Sequence, residues 1–367
     1  MVDFKAVFVD CYRNSTLETL TFTLNQLMLM SNPFNRCRHP WVAGFLFLVV
    51  VQFICPTVRS QSNLTVSSAI STNKALFDAI RSGSSDKLKN ALANGSDAND
   101  SMMGYTALMA AALNGTADQM MILINHGARV NDTTGSGITA LWVALPDIDK
   151  MTALLNHGAD INHKIDGYGI LTKLAAIPGT INIFQFLMSK GADPLNSCPD
   201  NLLLFNAAAS GDTSLVGFLL RLGLKVNDTT AFGETPLNAT LSFRTPSTLK
   251  MLVEQGANIN FQNLHEPNLP AMIGFTPLMN AAVVNDKESL LFLLDHGADP
   301  NLRSKNGMTA LILLQQSESV DPEMTMALIN HGARVADKTP DGTDALYYAK
   351  EKGNTATVEL LQKYLQK

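Results

Sequence analysis

Leu123-Ile-Asn-His-Gly-Ala-Arg-Val-Asn131 is the phrase on which the reading of this chain turns. It returns as Leu154-Leu-Asn-His-Gly-Ala-Asp-Ile-Asn162, as Leu252-Val-Glu-Gln-Gly-Ala-Asn-Ile-Asn260 and as Leu293-Leu-Asp-His-Gly-Ala-Asp-Pro-Asn301. The glycines of the series are Gly95, Gly127, Gly158, Gly191, Gly223, Gly256, Gly297 and Gly332, at successive spacings of 32, 31, 33, 32, 33, 41 and 35 residues. A fixed period of this length marks a stack of supersecondary units, so the 367 residues are not divided into the two or three globular domains that length alone would suggest.

A second phrase leads the units in constant phase with the first: Gly104-Tyr-Thr-Ala-Leu108, Gly137-Ile-Thr-Ala-Leu141, Gly233-Glu-Thr-Pro-Leu237, Gly274-Phe-Thr-Pro-Leu278 and Gly307-Met-Thr-Ala-Leu311. Thr is placed to cap a helix, and Pro is tolerated in the first turn because its missing N–H has no partner there. Runs such as Ala110-Ala-Ala112 and Ala207-Ala-Ala209 let a first helix approach its neighbours, and Met120-Met-Ile-Leu-Ile124 reads as the second helix that supplies the core. The glycine ends that helix in a left-handed conformation. The Asn that follows, with pairs such as Asp166-Gly167 and Asn306-Gly307, reads as the hairpin tip.

The two linked phrases resemble the ankyrin repeat over residues 73–367. The resemblance implies an all-α solenoid of about nine helix-turn-helix units joined by β-hairpin loops. Its N-terminal cap unit is 73–99, which lacks the Thr phrase, and its C-terminal cap unit is 342–367, rich in charge. Unit four has lost the Thr and unit five, at Asp200-Asn-Leu-Leu-Leu204, both Gly and Thr, so the stack is expected to be weaker or bent there. The family's His after Thr-Pro-Leu is replaced by Met109, Trp142, Asn238, Met279 and Ile312.

The resemblance also implies protein binding along the hairpin tips and first helices. The tip residue between Gly and Thr is Tyr105, Ile138, Tyr168, Asn201, Glu234, Phe275 or Met308; the apolar members read as partner anchors or as packing between hairpins. A second candidate is the junction between units six and seven. Eight residues separate Asn227 from Thr235, but sixteen separate Asn260 from Thr276. The inserted Phe261–Ile273 carries Leu264, Leu269 and Met272 with two prolines, and insertions in solenoids fall on one face. The bland alternative is a neutral insertion.

No phosphate loop, GxSxG or HExxH is present, so no catalytic, cofactor or metal residues are expected. His126, His157, His296 and His331 precede repeat glycines one unit apart, too far from one another to share a zinc, and suit the negative pole of a helix. The net charge of -5 with no basic run in the body makes nucleic acid an unsuitable partner. The expected partner is a protein, and the chain is expected to be a monomer.

Residues 1–60 form an N-terminal extension and 61–72 a linker. Trp41–Cys55 is an apolar run preceded by Arg36 and Arg38, and Val58 and Ser60 suit signal-peptidase cleavage before Gln61. An uncleaved anchor over 41–58 and a cytoplasmic protein with an apolar N-terminus are the alternatives. The first two place the body outside the cytoplasm, periplasmic or secreted. Met28 or Met30 would make a conventional start for such a signal. The sequence-based expectation is thus a binding scaffold outside the cytoplasm that holds, inhibits or protects a partner, or a secreted effector acting on host-cell proteins.

Overall fold

A computed structural model describes residues 69–195, 197–198, 201–264 and 272–366. The apolar run 41–55, Met28 and Met30, the linker up to residue 68 and Leu269 lie outside the described residues. Within them, eighteen helices fall into nine consecutive pairs. Unit one is α1 (Ala69–Arg81) and α2 (Ser85–Ala93); unit two, α3 (Ala107–Asn114) and α4 (Ala117–Asn125); unit three, α5 (Ala140–Val143) and α6 (Ile148–Asn156). Unit four is α7 (Ile170–Ala175) and α8 (Ile181–Ser189); unit five, α9 (Leu202–Ser210) and α10 (Thr213–Arg221); unit six, α11 (Pro236–Phe243) and α12 (Pro246–Glu254). Unit seven is α13 (Pro277–Val283) and α14 (Lys287–Asp295); unit eight, α15 (Ala310–Gln315) and α16 (Pro322–Asn330); unit nine, α17 (Ala345–Glu351) and α18 (Thr355–Leu365). Helix α1 begins four residues before the expected edge of unit one, because Ala69-Ile-Ser-Thr72 contains neither Gly nor Pro to stop it.

The local chemistry explains the pairs. The Oγ1 atoms of Thr106, Thr235, Thr276 and Thr309 accept hydrogen bonds from the amides three residues on, at Met109, Asn238, Met279 and Ile312, and so cap α3, α11, α13 and α15. Asp147, Asp212 and Asp286 cap the second helices of their units in the same way, and Asp321 does so through the amide two residues on, at Glu323. Four residues before each repeat glycine from Gly127 onward stands a fully buried leucine: Leu123, Leu154, Leu187, Leu219, Leu252, Leu293 and Leu328. Each contributes about 1.5–3 kcal/mol of apolar burial, and each meets its counterpart's helix only in the neighbouring units. Buried alanines such as Ala111, Ala207 and Ala281 line the first helices. Neighbouring first helices pack closely at every junction except that of units three and four, where α5 is a single turn long.

Two hairpins form short antiparallel ladders: β1 (Ser101–Met102) with β2 (Tyr105–Thr106), and β3 (Lys164–Ile165) with β4 (Tyr168–Gly169). At Thr134, Thr230, Ser304 and Thr339 the same turn is closed by two backbone bonds: the amide of each donates to the carbonyl four residues on, and its carbonyl accepts from the turn glycine three residues on.

The Asn that stands four residues after six of the eight repeat glycines does not form the hairpin tip. Its side chain reaches into the next unit. Asn131 Nδ2 donates to Gly158 O at 2.9 Å, and Asn131 Oδ1 accepts from Asp160 N at 2.8 Å. Asn99, Asn162, Asn227, Asn260 and Asn301 make the same pair of bonds to the next repeat glycine and to the residue two positions beyond it. A carboxamide suits this place because it offers a donor and an acceptor on separate atoms of one short arm. At the junction of units four and five this position holds Leu195, and the rung is missing.

Candidate functional site

The hairpin tips carry two kinds of residue. The one after the turn glycine faces back toward the array: Ile138 and Phe275 are only 6% exposed, and Tyr105, Tyr168 and Met308 are half-buried. Ile138 and Phe275, expected from sequence to be partner anchors, therefore present almost no surface, because the segment entering the capped helix turns their side chains under the hairpin. The residue before the glycine points outward. Met103 is 78% exposed in a left-handed conformation (φ 53°), and Phe232 is 45% exposed. Sequence reasoning missed both. An available signal was an apolar Met at the Met103-Gly104 turn, where left-handed backbone favours Asn, Asp or Gly.

The insertion between units six and seven has a built base. Asn263, buried, donates through Nδ2 to Phe232 O at 3.1 Å and to Glu234 Oε1 at 2.9 Å. Its amide donates to Phe275 O, and its carbonyl accepts from Gly274 N. Gln262 Nε2 donates to Gly274 O and Arg303 O, both at 2.9 Å, and Lys305 N donates to Ile273 O at 2.9 Å. The two ends of the insertion are thus closed on each other and tied to unit six on one side and unit eight on the other. Leu264, 66% exposed, stands at one lip and half-buried Met272 at the other. Leu269 lies outside the described residues. Since Asn263 bonds the carbonyl of Phe232, the exposed Phe232 ring and Leu264 belong to adjoining tips. The structure thus adds Phe232 to Leu264 and Met272 in one place; Tyr105, Ile138 and Tyr168 lie several units away.

Glu234 is the titratable group of this site. Burial pushes its carboxyl above the usual glutamate range, and the hydrogen bond from Asn263 opposes that shift. The folded state therefore binds the proton more tightly than the unfolded state, and Glu234 makes stability fall as pH rises from the ordinary glutamate range through its raised value. Glu234→Gln keeps an oxygen for Asn263 and removes the titration. Its thermal midpoint is expected to exceed that of the natural protein at pH 7 and to converge with it in acid; a fixed difference across pH, followed by scanning calorimetry, would discard this account.

His126, His157, His296 and His331 all sit at helix C-caps, their Nδ1 atoms 2.7–2.8 Å from the carbonyl four residues back. At His126, His296 and His331 that carbonyl also accepts the histidine's own amide, so the ring adds a second bond at the helix end. Among the described residues, no helix is long and apolar enough to cross a membrane.

Comparison with known proteins places this geometry. The family model described as ankyrin repeats (3 copies) matches residues 76–165, 171–263, 204–304 and 278–367. The 2-5A-dependent ribonuclease of Homo sapiens is 43% identical over 72 residues, covering 20% of this chain and 9% of that protein. The ankyrin repeat, SAM and basic leucine zipper domain-containing protein 1 of Echinops telfairi is 29% identical over 124 residues, covering 32% of this chain and 24% of that protein. The putative ankyrin repeat protein FPV115 of fowlpox virus is 32% identical over 130 residues, covering 35% and 21%. The matched part of this chain spans no more than about a quarter of the length of these relatives.

Proposed function

The chain belongs to the ankyrin-repeat family, and from that scaffold we propose that it holds, inhibits or protects a partner protein outside the cytoplasm, gripping it with the tips of units six to eight. Ankyrin repeats generally mediate protein–protein interaction and are typically non-enzymatic. The observation that carries the choice of surface is the anchored base of the insertion, with exposed Phe232 and Leu264 beside it. Apolar side chains on a base already ordered lose little freedom on binding, which favours affinity. Tyr105, Tyr168 and Met103 on the earlier tips extend the row as weaker contacts.

What supports the location is the N-terminal segment, where arginines, an apolar run and small residues before Gln61 suit a signal that would carry the body to a periplasm or out of the cell. A mature chain beginning at Gln61, read by intact mass from the extracytoplasmic fraction, is the expected result; a full-length chain in the cytosol would overturn the location. Release into the medium or into host cytosol would favour the secreted effector over the resident scaffold.

The surface is tested with a partner first identified by in-cell cross-linking to the natural chain. Phe232→Ser combined with Leu264→Ser is expected to weaken its binding at least about tenfold, with little change in melting. Unchanged affinity of the folded double variant would move the docking site away from units six to eight.

A further inference from the structure

We propose that the array opens first at the junction of units four and five, a seam set into the fold between units one to four and units five to nine. The first observation is the missing rung. At six of the eight junctions an Asn side chain joins one unit to the next by two hydrogen bonds; the position holds Ala336 at the terminal junction of units eight and nine, and inside the array Leu195 takes its place here and is 67% exposed. The backbone at that point is otherwise unchanged. Leu195 N donates to Asp193 Oδ1 at 2.9 Å, as Asn162 N does to Asp160 Oδ1 and Asn301 N to Asp299 Oδ1. An asparagine at 195 would therefore face Gly223 O and Lys225 N, the positions matching those that every other rung bonds.

The second observation is independent of the first. The first helices of units three, four and five, α5, α7 and α9, lack a capping hydrogen bond from the N-cap side chain, whereas those of units two, six, seven, eight and nine have one. At α5 Thr139 is present, but its buried Oγ1 has no partner. At α7 the cap is Gly169, whose amide donates to Ser197 O; a Cβ there would stand 3.2 Å from that carbonyl oxygen, so a threonine would crowd the Ser197 backbone. At α9 the cap is Asn201 in a left-handed conformation. Short helices compound the effect, with four residues in α5 and six in α7.

What closes the junction is the edge-to-face contact of Phe184 with Phe218, together with bonds from Asn206 Nδ2 to Thr172 O, from Gly179 N to Asp212 Oδ2 and from the Thr172 hydroxyl to Ser197 O. The first helices α7 and α9 also pack together, so the junction differs from the others in lacking the rung and in joining units whose first helices are uncapped. In a nearest-neighbour array, such a junction opens below the free energy of global unfolding.

The test is native-state hydrogen exchange on the full chain. Peptides over Ile170–Ala175 and Leu202–Ser210 are expected to exchange at least about tenfold faster than those over Ala107–Asn114 and Pro277–Val283. Leu195→Asn should slow exchange at Leu202–Ser210 about tenfold and leave Pro277–Val283 unchanged. Asn131→Leu, which copies the natural gap, should open a second fast region at Ala140–Val143. Equal protection of all first helices in the natural chain would overturn the seam. So would Leu195→Asn without slowing, or Asn131→Leu without a new fast region.

Discussion

Phe184→Ala is expected to lower the unfolding free energy by about 3–5 kcal/mol, the largest loss for any single side chain of unit four. Phe184 is fully buried in α8, and its ring meets Phe218 of α10 edge-on, with centroids 6.1 Å apart at 80°. Truncation removes apolar burial, leaves a cavity and deletes an aromatic pair worth about 0.5–1.5 kcal/mol beyond its area. In a globular domain the loss would spread over one cooperative transition. In this array it falls on the junction that already lacks a rung, so urea unfolding followed by circular dichroism should separate into two steps. A single transition shifted by less than about 1 kcal/mol would show that the core of unit four is not held by this pair.

Asn263→Ala should destabilise the protein by about 2–4 kcal/mol at neutral pH, far more than its surface-loop position suggests. One side-chain nitrogen serves both Phe232 O and Glu234 Oε1. Removing it strands a backbone carbonyl and takes a neutralising donor from a carboxylate that burial already disfavours. The deficit should shrink in acid, since a protonated Glu234 has less need of a donor, and it should shrink at neutral pH in the Glu234→Gln background. Thermal unfolding of the two single variants and the double variant gives the coupling directly; additive effects would mean that Asn263 acts only through the backbone of the insertion.

What the sequence made legible was whatever depends on a few consecutive residues. Gly in a left-handed turn and Thr ahead of Pro-Leu dictate local backbone, so the nine units could be placed before any tertiary contact was known. The side of the tip was not legible. Ile138 follows its glycine and Met103 precedes its own, and only the hairpin's orientation decides that one is buried and the other exposed. The role of Asn131 was hidden for a different reason. Its partners at Gly158 and Asp160 lie nearly a full period away, and an Asn after Gly reads equally well as turn chemistry. The insertion was visible as extra length, but Asn263 was indistinguishable from its polar neighbours until the fold brought Glu234 beside it.

The closed neck at Gln262, Asn263, Gly274 and Lys305 has a practical corollary. Whatever sequence is spliced between 265 and 271 begins and finishes at a spacing set by the repeats, and each doubling of its length adds only about 0.6 kcal/mol of closure entropy. That makes the site a graft point: a foreign epitope installed there would be displayed on a fixed mount, and recognition could be rewritten without retuning the helices beneath.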